Sequence, residues 1–361
     1  MLVERYRSDL CGAEYQAEAV APAWGSSRAA LQMLCLRPHD RENLTPMPIP
    51  ARLEGRLALP AVAAPLFLVS GPDLVVETCR GGMVGTFPAL NQRSTEGYVA
   101  WLEEIVTRLA PHPQAAPFGV NLIVHRSNKR LDADLAATVA HRVPLVITSL
   151  GAVQEVVDAV HGYGGLIFHD VINMRHAAKA AEAGVDGLIA VCAGAGGHAG
   201  TINPFAFLPE LRSIFQGTLL LAGAIGNGRQ VMAARLMGAD LAYVGTRFVA
   251  TKESMAAPEY KRMVLEARAK DIIYTSAISG VKGNFLRASI AAAGLDPDRL
   301  DEATPLNVAE HEKRPWKNVW SAGQGVGAIE DLPGAAELCA RLAAEYRAAA
   351  PEVAAMAKVA N

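Results

Sequence analysis

From residue 60 to about residue 250 the chain repeats one pattern. A short apolar run is followed by a stretch whose apolar residues recur at helical spacing, and then by a glycine or polar turn. The apolar runs are Ala61–Val69, Gly82–Thr86, Phe118–Val124, Pro144–Thr148, Gly165–Asp170, Gly187–Val191, Thr218–Ala222 and Leu241–Gly245. They are rich in Val, Ile and Leu, and most are apolar at every position rather than at alternate ones. Parallel strands covered on both faces have that character. Helical patterns lie between most of them: Pro72–Cys79, Glu96–Leu109, Leu131–His141, Val153–His161, Asn173–Ala183 and Arg229–Met237. Glycine follows two of these, at Gly184 and Gly238, where a helix C-cap favours it.

Eight strands alternating with helices predict an α/β fold of the (β/α)8 TIM-barrel type. An open doubly wound sheet is the competitor. It would more often show five to seven strands, with a phosphate loop after the first. Beyond residue 251 the rhythm breaks. Ser254–Ala269 and Ala288–Leu295 read as helices, Thr304–Ser321 as irregular, and Pro333–Ala349 as a long amphipathic helix. The expected organisation is a flexible extension over 1–46, a start-site artefact with Met47 as the true start, or a small packed N-terminal element. A barrel over 47–251 follows. A mostly helical subdomain spans 252–330, with a loop returning to the site, and a final helix over 331–361 packs back on the barrel.

The 51% hydrophobic fraction excludes a disordered chain. Lysine and arginine total 34 against 36 acidic residues, so the net charge of −2 gives no reason to expect nucleic acid as partner, although a local basic patch stays open. Five cysteines, with no Cys-x-x-Cys pair, suggest neither a disulfide framework nor a zinc site. No apolar run reaches the ~18–20 residues of a membrane span. A cytoplasmic setting is the expectation.

Four loops carry the chemistry-bearing residues. Cys192-Ala-Gly-Ala-Gly-Gly-His-Ala-Gly200 follows the sixth strand. It matches a dinucleotide fingerprint loosely, but it comes late and does not open a helix directly. His198 stands among glycines with few side chains to pack against, which favours a functional role. Ala222–Gly228 and Gly245–Phe248 follow the seventh and eighth strands, where barrels of this type build a phosphate site. Ser321–Gly327 reads equally as a linker or as a loop folding over the barrel mouth. Asn121 ends the third strand, and His169-Asp170 the fifth, as a ligand contact or a capped strand end. Lys282 reads as solvated and Cys192 as structural.

Taken together, Gly194–Gly200, Ala222–Gly228, Gly245–Thr251 and Ser321–Gly327 resemble the nitronate monooxygenase family, formerly the 2-nitropropane dioxygenases, from about Pro60 to Tyr346. The resemblance implies an FMN-dependent barrel that oxidises alkyl nitronates, and in some members nitroalkanes, with dioxygen to carbonyl compounds and nitrite. By position, His198 matches the active-site base and Asn121 the contact to the flavin ring. Gly223, Ala224, Gly245 and Thr246 match the phosphate cradle, and Gly323, Gln324 and Gly325 the returning loop. Pro65, Asp170, Gly196 and Gly197 complete the expected cofactor contacts. The first strand departs from the family's Ala-Pro-Met by reading Ala64-Pro65-Leu66. The expected partners are a small nitronate or nitroalkane and dioxygen, with no membrane, no metal, and a monomer or homodimer. The competing readings are an NAD(P)H-dependent reductase of quinones or enoyl thioesters and a flavin-binding protein without turnover.

Overall fold

The computed structural model describes residues 49–151, 154–300 and 319–358. The 1–46 extension therefore lies outside the described residues, as does most of the irregular stretch 304–321.

Eight parallel strands form one sheet: β1 (Ala61–Ala63), β2 (Gly85–Pro88), β3 (Phe118–Ile123), β4 (Leu145–Ser149), β5 (Leu166–Val171), β6 (Gly187–Val191), β8 (Thr218–Ala222) and β9 (Leu241–Val244). Their order is β1-β9-β8-β6-β5-β4-β3-β2, and a parallel bridge from Val62 to Val84 joins the two ends into a barrel. Successive residues face opposite ways. Leu145, Ile147, Phe168, Ile189, Leu220 and Leu241 fill the interior. Their neighbours Val146, Ile167, Leu188, Leu219 and Ala242 pack under the helices. Two buried faces explain why these strands read as unbroken apolar runs.

The barrel helices are α1 (Pro72–Arg80), α2 (Thr95–Leu109), α3 (Leu131–Ala140), α4 (Gln154–His161), α5 (Met174–Glu182), α6 (Pro204–Ile214), α7 (Gly228–Leu236) and the single turn α8 (Thr246–Val249). Helix α6 is absent from the sequence expectation. Pro204 at its first turn and Pro209 within it obscure the pattern, while the Asn203 side chain caps it by accepting the Phe205 N–H.

The first strand is a correction. Only Ala61–Ala63 pairs, not Ala61–Val69. Pro65 has no N–H to give, and Leu68 turns the chain with φ +56°. The Asn91 amide takes over the backbone bonds there. Its Nδ2 donates to the carbonyls of Leu66 (3.0 Å) and Ser70 (2.8 Å), and its Oδ1 accepts the Leu68 N–H (2.8 Å).

The segment after the barrel is less helical than expected. It holds α9 (Pro258–Glu266) and α10 (Arg287–Ala292), but between them runs an antiparallel pair, β10 (Ile272–Thr275) and β11 (Gly283–Leu286). Strand β11 also pairs with the short β7 (Gly197–His198). The last helix, α11 (Ala335–Lys358), packs against α7 and α1. The contact with α7 is so close that a Cβ on Gly228 would overlap the Leu342 carbonyl oxygen.

One buried ion pair ties α6 to the sheet. The Asp240 carboxylate is fully buried and accepts from Arg212 Nη2 (2.7 Å) and the Leu219 N–H (2.8 Å). Arg212→Met strands that carboxylate, and a loss of about 3–5 kcal/mol is expected in urea unfolding. Adding Asp240→Asn to the same chain should recover part of it. No recovery would show that the loss comes from packing rather than from the unpaired charge.

Candidate active site

A cavity of about 1290 Å3 opens at the C-terminal ends of the barrel strands. That is where the βα loops of such barrels build active sites. Three of the four non-glycine residues with left-handed backbone among the described residues line it: Leu68 (φ +56°), Leu150 (φ +64°) and Ala224 (φ +54°). Leucine in that conformation is strained, and such strain collects at functional sites.

The cavity wall brings together Pro65, Asn121, Asp170, Gly196, Gly197, His198, Gly223, Ala224, Gly245, Thr246, Gly323 and Gly325. Gln324 does not join them. Its N–H donates to the Gly194 carbonyl (2.9 Å), and its side chain lies against Gly194, which itself lines the cavity. The loop 321–327 folds back over the mouth rather than serving as a plain linker. Thr246 Oγ1 accepts the Gly323 N–H (2.9 Å), which leaves the hydroxyl proton free to donate elsewhere. The start of α7 offers less than expected. Its Gly226 and Asn227 N–H groups go to Gln230 Oε1 and that of Gly228 to Glu345 Oε2, so an anion would be held by the 223–224 and 245–246 turns alone.

On the other wall Asn121, Ser149 and Asp170 form a relay. Asn121 Nδ2 donates to Ser149 Oγ (2.7 Å), and Ser149 donates to Asp170 Oδ2 (2.5 Å). Asp170 Oδ1 is buried and takes no hydrogen bond among the described residues. Ser149 was not singled out in the sequence; a hydroxyl at the C-terminal end of a barrel strand was the available signal. Burial pushes the Asp170 carboxyl up from 3.8 to about 6, partly opposed by the Ser149 hydrogen bond. Next to it, burial and then the nearby His176 hold His169 down to about 4, so its ring is neutral at pH 7.

The raised Asp170 value sets a pH dependence. Between about 4 and 6 the folded chain keeps a proton that the unfolded chain has released. The stability from this group is therefore full below pH 4 and is lost as pH rises through 6. Asp170→Asn is expected to stabilise the flavin-free protein at pH 7 by up to roughly 3 kcal/mol. The gain should vanish near pH 4. An equal gain at both pH values, read by thermal unfolding, would exclude the buried charge as its source.

His198 lies on a loop with almost no side chains, so other elements must position it. Strand β11 pairs with it directly, Gly283 opposite His198. Asn284 Nδ2 donates to the Ala195 carbonyl (2.6 Å), and the Tyr274 hydroxyl to that of Ala199 (2.9 Å). The imidazole Nε2 meets Ser279 Oγ at 3.1 Å, while the Ser279 hydroxyl donates to the Val281 carbonyl at 3.0 Å. A Ser279 proton directed at Val281 makes Nε2 the donor and leaves the lone pair on Nδ1, which takes no hydrogen bond among the described residues. The ring is reached by solvent through the cavity yet surrounded by its walls. That partial desolvation holds it below the usual histidine value. Burial also pushes the Cys192 thiol up to about 12, which leaves it unreactive as read from sequence.

A family model described as nitronate monooxygenase matches residues 57–345. The nitronate monooxygenase of Paraburkholderia phytofirmans is 28% identical over 80% of this chain and 92% of its own length. A Rhodococcus jostii protein named (3aS,4S,5R,7aS)-5-hydroxy-7a-methyl-1-oxo-octahydro-1H-indene-4-carboxyl-CoA dehydrogenase is 26% identical over 64% of this chain and 63% of its own. Among solved structures, nitroalkane oxidase from Streptomyces ansochromogenes superposes with a TM-score of 0.73 and 25% identity, over 84% of this chain and all of that one.

Proposed function

This chain belongs to the nitronate monooxygenase family, and we propose that it is an FMN-dependent enzyme oxidising alkyl nitronates, and nitroalkanes once deprotonated, with dioxygen. The observation that carries the reading is His198 on the cavity wall, with Nε2 at 3.1 Å from Ser279 Oγ and Nδ1 without a hydrogen bond among the described residues.

The site fits a flavin mononucleotide. The cavity is lined by the backbones of Gly194, Gly196, Gly197, Gly223, Gly245, Gly323 and Gly325 and by the Asn121–Ser149–Asp170 relay. The orphaned Asp170 Oδ1 suits a donor from the bound group or the substrate. A Cβ on Gly245 would come no closer than 3.6 Å to Leu66, so the backbone there is open to a ligand. Gly223, Ala224, Gly245 and Thr246 would hold the phosphate, with the Thr246 hydroxyl as a further donor. When bound, the flavin supplies the electron-accepting chemistry.

The protein's share is to bind, orient and move one proton. A neutral nitroalkane must lose the proton on the carbon bearing the nitro group. His198 Nδ1 accepts it, and Nε2–H stays with Ser279, which receives the positive hydrogen bond. A ready-made nitronate skips this step, and its anionic oxygens then sit beside the imidazole and the neighbouring glycine N–H groups. Because His198 titrates below the usual histidine range, the base form dominates at neutral pH.

Ser279 is a positioning residue here. Ser279→Ala is expected to slow nitroalkane turnover about tenfold, the worth of one hydrogen bond, and to leave nitronate turnover nearly unchanged. The reading itself is tested by oxygen consumption and nitrite release with propionate 3-nitronate by the flavin-loaded protein. Bound flavin without nitrite production would overturn it.

A further inference from the structure

The barrel interior is apolar until it reaches the cavity. There the inward-facing residues are Asn121, Ser149 and Asp170 on β3, β4 and β5, and Val191, Ala222 and Tyr243 on β6, β8 and β9. Alternation along β5 places the carboxyl: Phe168 fills the interior, so Asp170, two residues on, points the same way. Asp170 is the one carboxylate lining the cavity among the described residues. A buried carboxylate is costly unless it is paired, and the removal of a substrate proton by His198 makes no use of this one.

No cation pairs with it. Oδ2 accepts from Ser149, and Oδ1 is closed off without a hydrogen bond among the described residues. Basic side chains do line the cavity. Arg93, Lys129, Arg175 and Lys179 stand exposed after β2, β3 and β5, and Lys282 stands exposed between β10 and β11. Arg130 is held by Asp134, and Arg247 by Asp331. None of these charges offsets the burial of Asp170. Burial pushes its carboxyl up to about 6, and the opposing cause is the Ser149 hydrogen bond. His169 beside it is neutral at pH 7, as described above. From β9, Tyr243 adds a second acid rather than a base. Its phenol is held well above its usual value by burial and then by the Asp170 charge.

Asp170 is thus a buried acid that loses a buried charge by taking a proton. The flavin reading brings a second negative charge to the same cavity. A flavin that has gained two electrons and one proton is an anion, and like charges sharing a buried site raise each other's proton affinity.

We propose that Asp170 is the proton-holding group of the flavin site, taking up a proton when the flavin is reduced and releasing it when the flavin is reoxidised. The inference rests on the flavin-site reading above and deepens it by naming where the second proton resides. Two electrons come from the reductant and two protons from solvent. One proton goes to the flavin and one to Asp170. With dioxygen as oxidant and no substrate present, both electrons and both protons leave as hydrogen peroxide. His198 is the rival carrier, but a proton there creates a charge that burial resists.

The test is a potentiometric titration of the flavin-loaded protein with dithionite, so no nitronate enters. Each proton taken up with two electrons changes the equilibrium constant tenfold per pH unit, about 30 mV. Between about pH 7.5 and 8.5 the parent is expected to fall by about 60 mV per pH unit, and Asp170→Asn by about 30 mV. Tyr243→Phe and His198→Asn should keep the parent slope. Equal slopes in the parent and Asp170→Asn, or loss of the extra slope in Tyr243→Phe or His198→Asn instead, overturns the proposal. If Asp170→Asn fails to hold flavin, the parent decides. Its reduced-minus-oxidised infrared spectrum at about pH 8 should gain the C=O band of a protonated carboxyl, and absence of that band overturns the proposal. Flavin absorbance reports the flavin reading and nitrite release the nitronate reading, so failure of either is distinguishable from failure of this one.

Discussion

Replacing His198 with asparagine is expected to cut turnover of neutral nitroalkanes by about 10²–10⁴-fold, the usual contribution of a positioned base. Turnover of the matching nitronates should stay within about tenfold of the parent, because they arrive without the proton. Asparagine keeps a donor near Ser279 but has no basic lone pair at neutral pH. The contrast between the two substrates isolates proton removal from binding, flavin content and folding, all of which the substrates share. In the parent, nitroalkane turnover should rise with pH through a value below the ordinary histidine 6.5 and level off above it, since burial holds His198 down and the base form is the active one. The nitronate reaction should lack that limb. Equal losses for both substrates in His198→Asn would remove the base from the mechanism.

The second large effect is expected at Gly323. A Cβ there would lie 2.6 Å from the Gly194 carbonyl oxygen and 2.9 Å from the Gly196 nitrogen. Both are backbone atoms, so nothing flexible can yield. The reverse view holds at Gly196, whose Cβ would lie 2.8 Å from the Gly323 nitrogen. Two glycine loops, one bearing His198 and one crossing the mouth, thus meet backbone to backbone. Gly323→Ala must push them apart and break the Gly323 N–H to Thr246 bond. Overpacking of this kind costs about 1–3 kcal/mol, and at the cofactor slot that corresponds to roughly 5- to 150-fold weaker flavin retention. Gly327→Ala in the same loop is the control. Its Cβ would meet nothing nearer than Arg268 Cδ at 3.6 Å, so flavin content should hold. Matching losses in both variants would mean that the loop responds to any added side chain rather than to this contact.

The barrel was legible because the residues at successive strand positions face two different apolar surroundings. Val146 packs under helices while Leu145 and Ile147 fill the interior, and the sequence writes both as hydrophobic. The glycine loops were legible because backbone that must approach a ligand or another loop has no room for side chains. What escaped was long-range. Strands β10 and β11 are short and lie in a segment without the barrel's rhythm, so their pairing with Gly197–His198 left no local mark. Ser279 and His198 are 81 residues apart, and only the fold makes them partners. The resemblance assigns Gln324 to the returning loop; the loop does meet the cavity through Gly323 and Gly325, while the Gln324 side chain lies against Gly194.

Rapid mixing of the flavin-loaded protein without oxygen, once with propionate 3-nitronate and once with NADH, tests the central claim most directly. Loss of the oxidised flavin absorbance with the nitronate alone is the predicted result. Loss with NADH alone, and an unchanged spectrum with the nitronate, would contradict it.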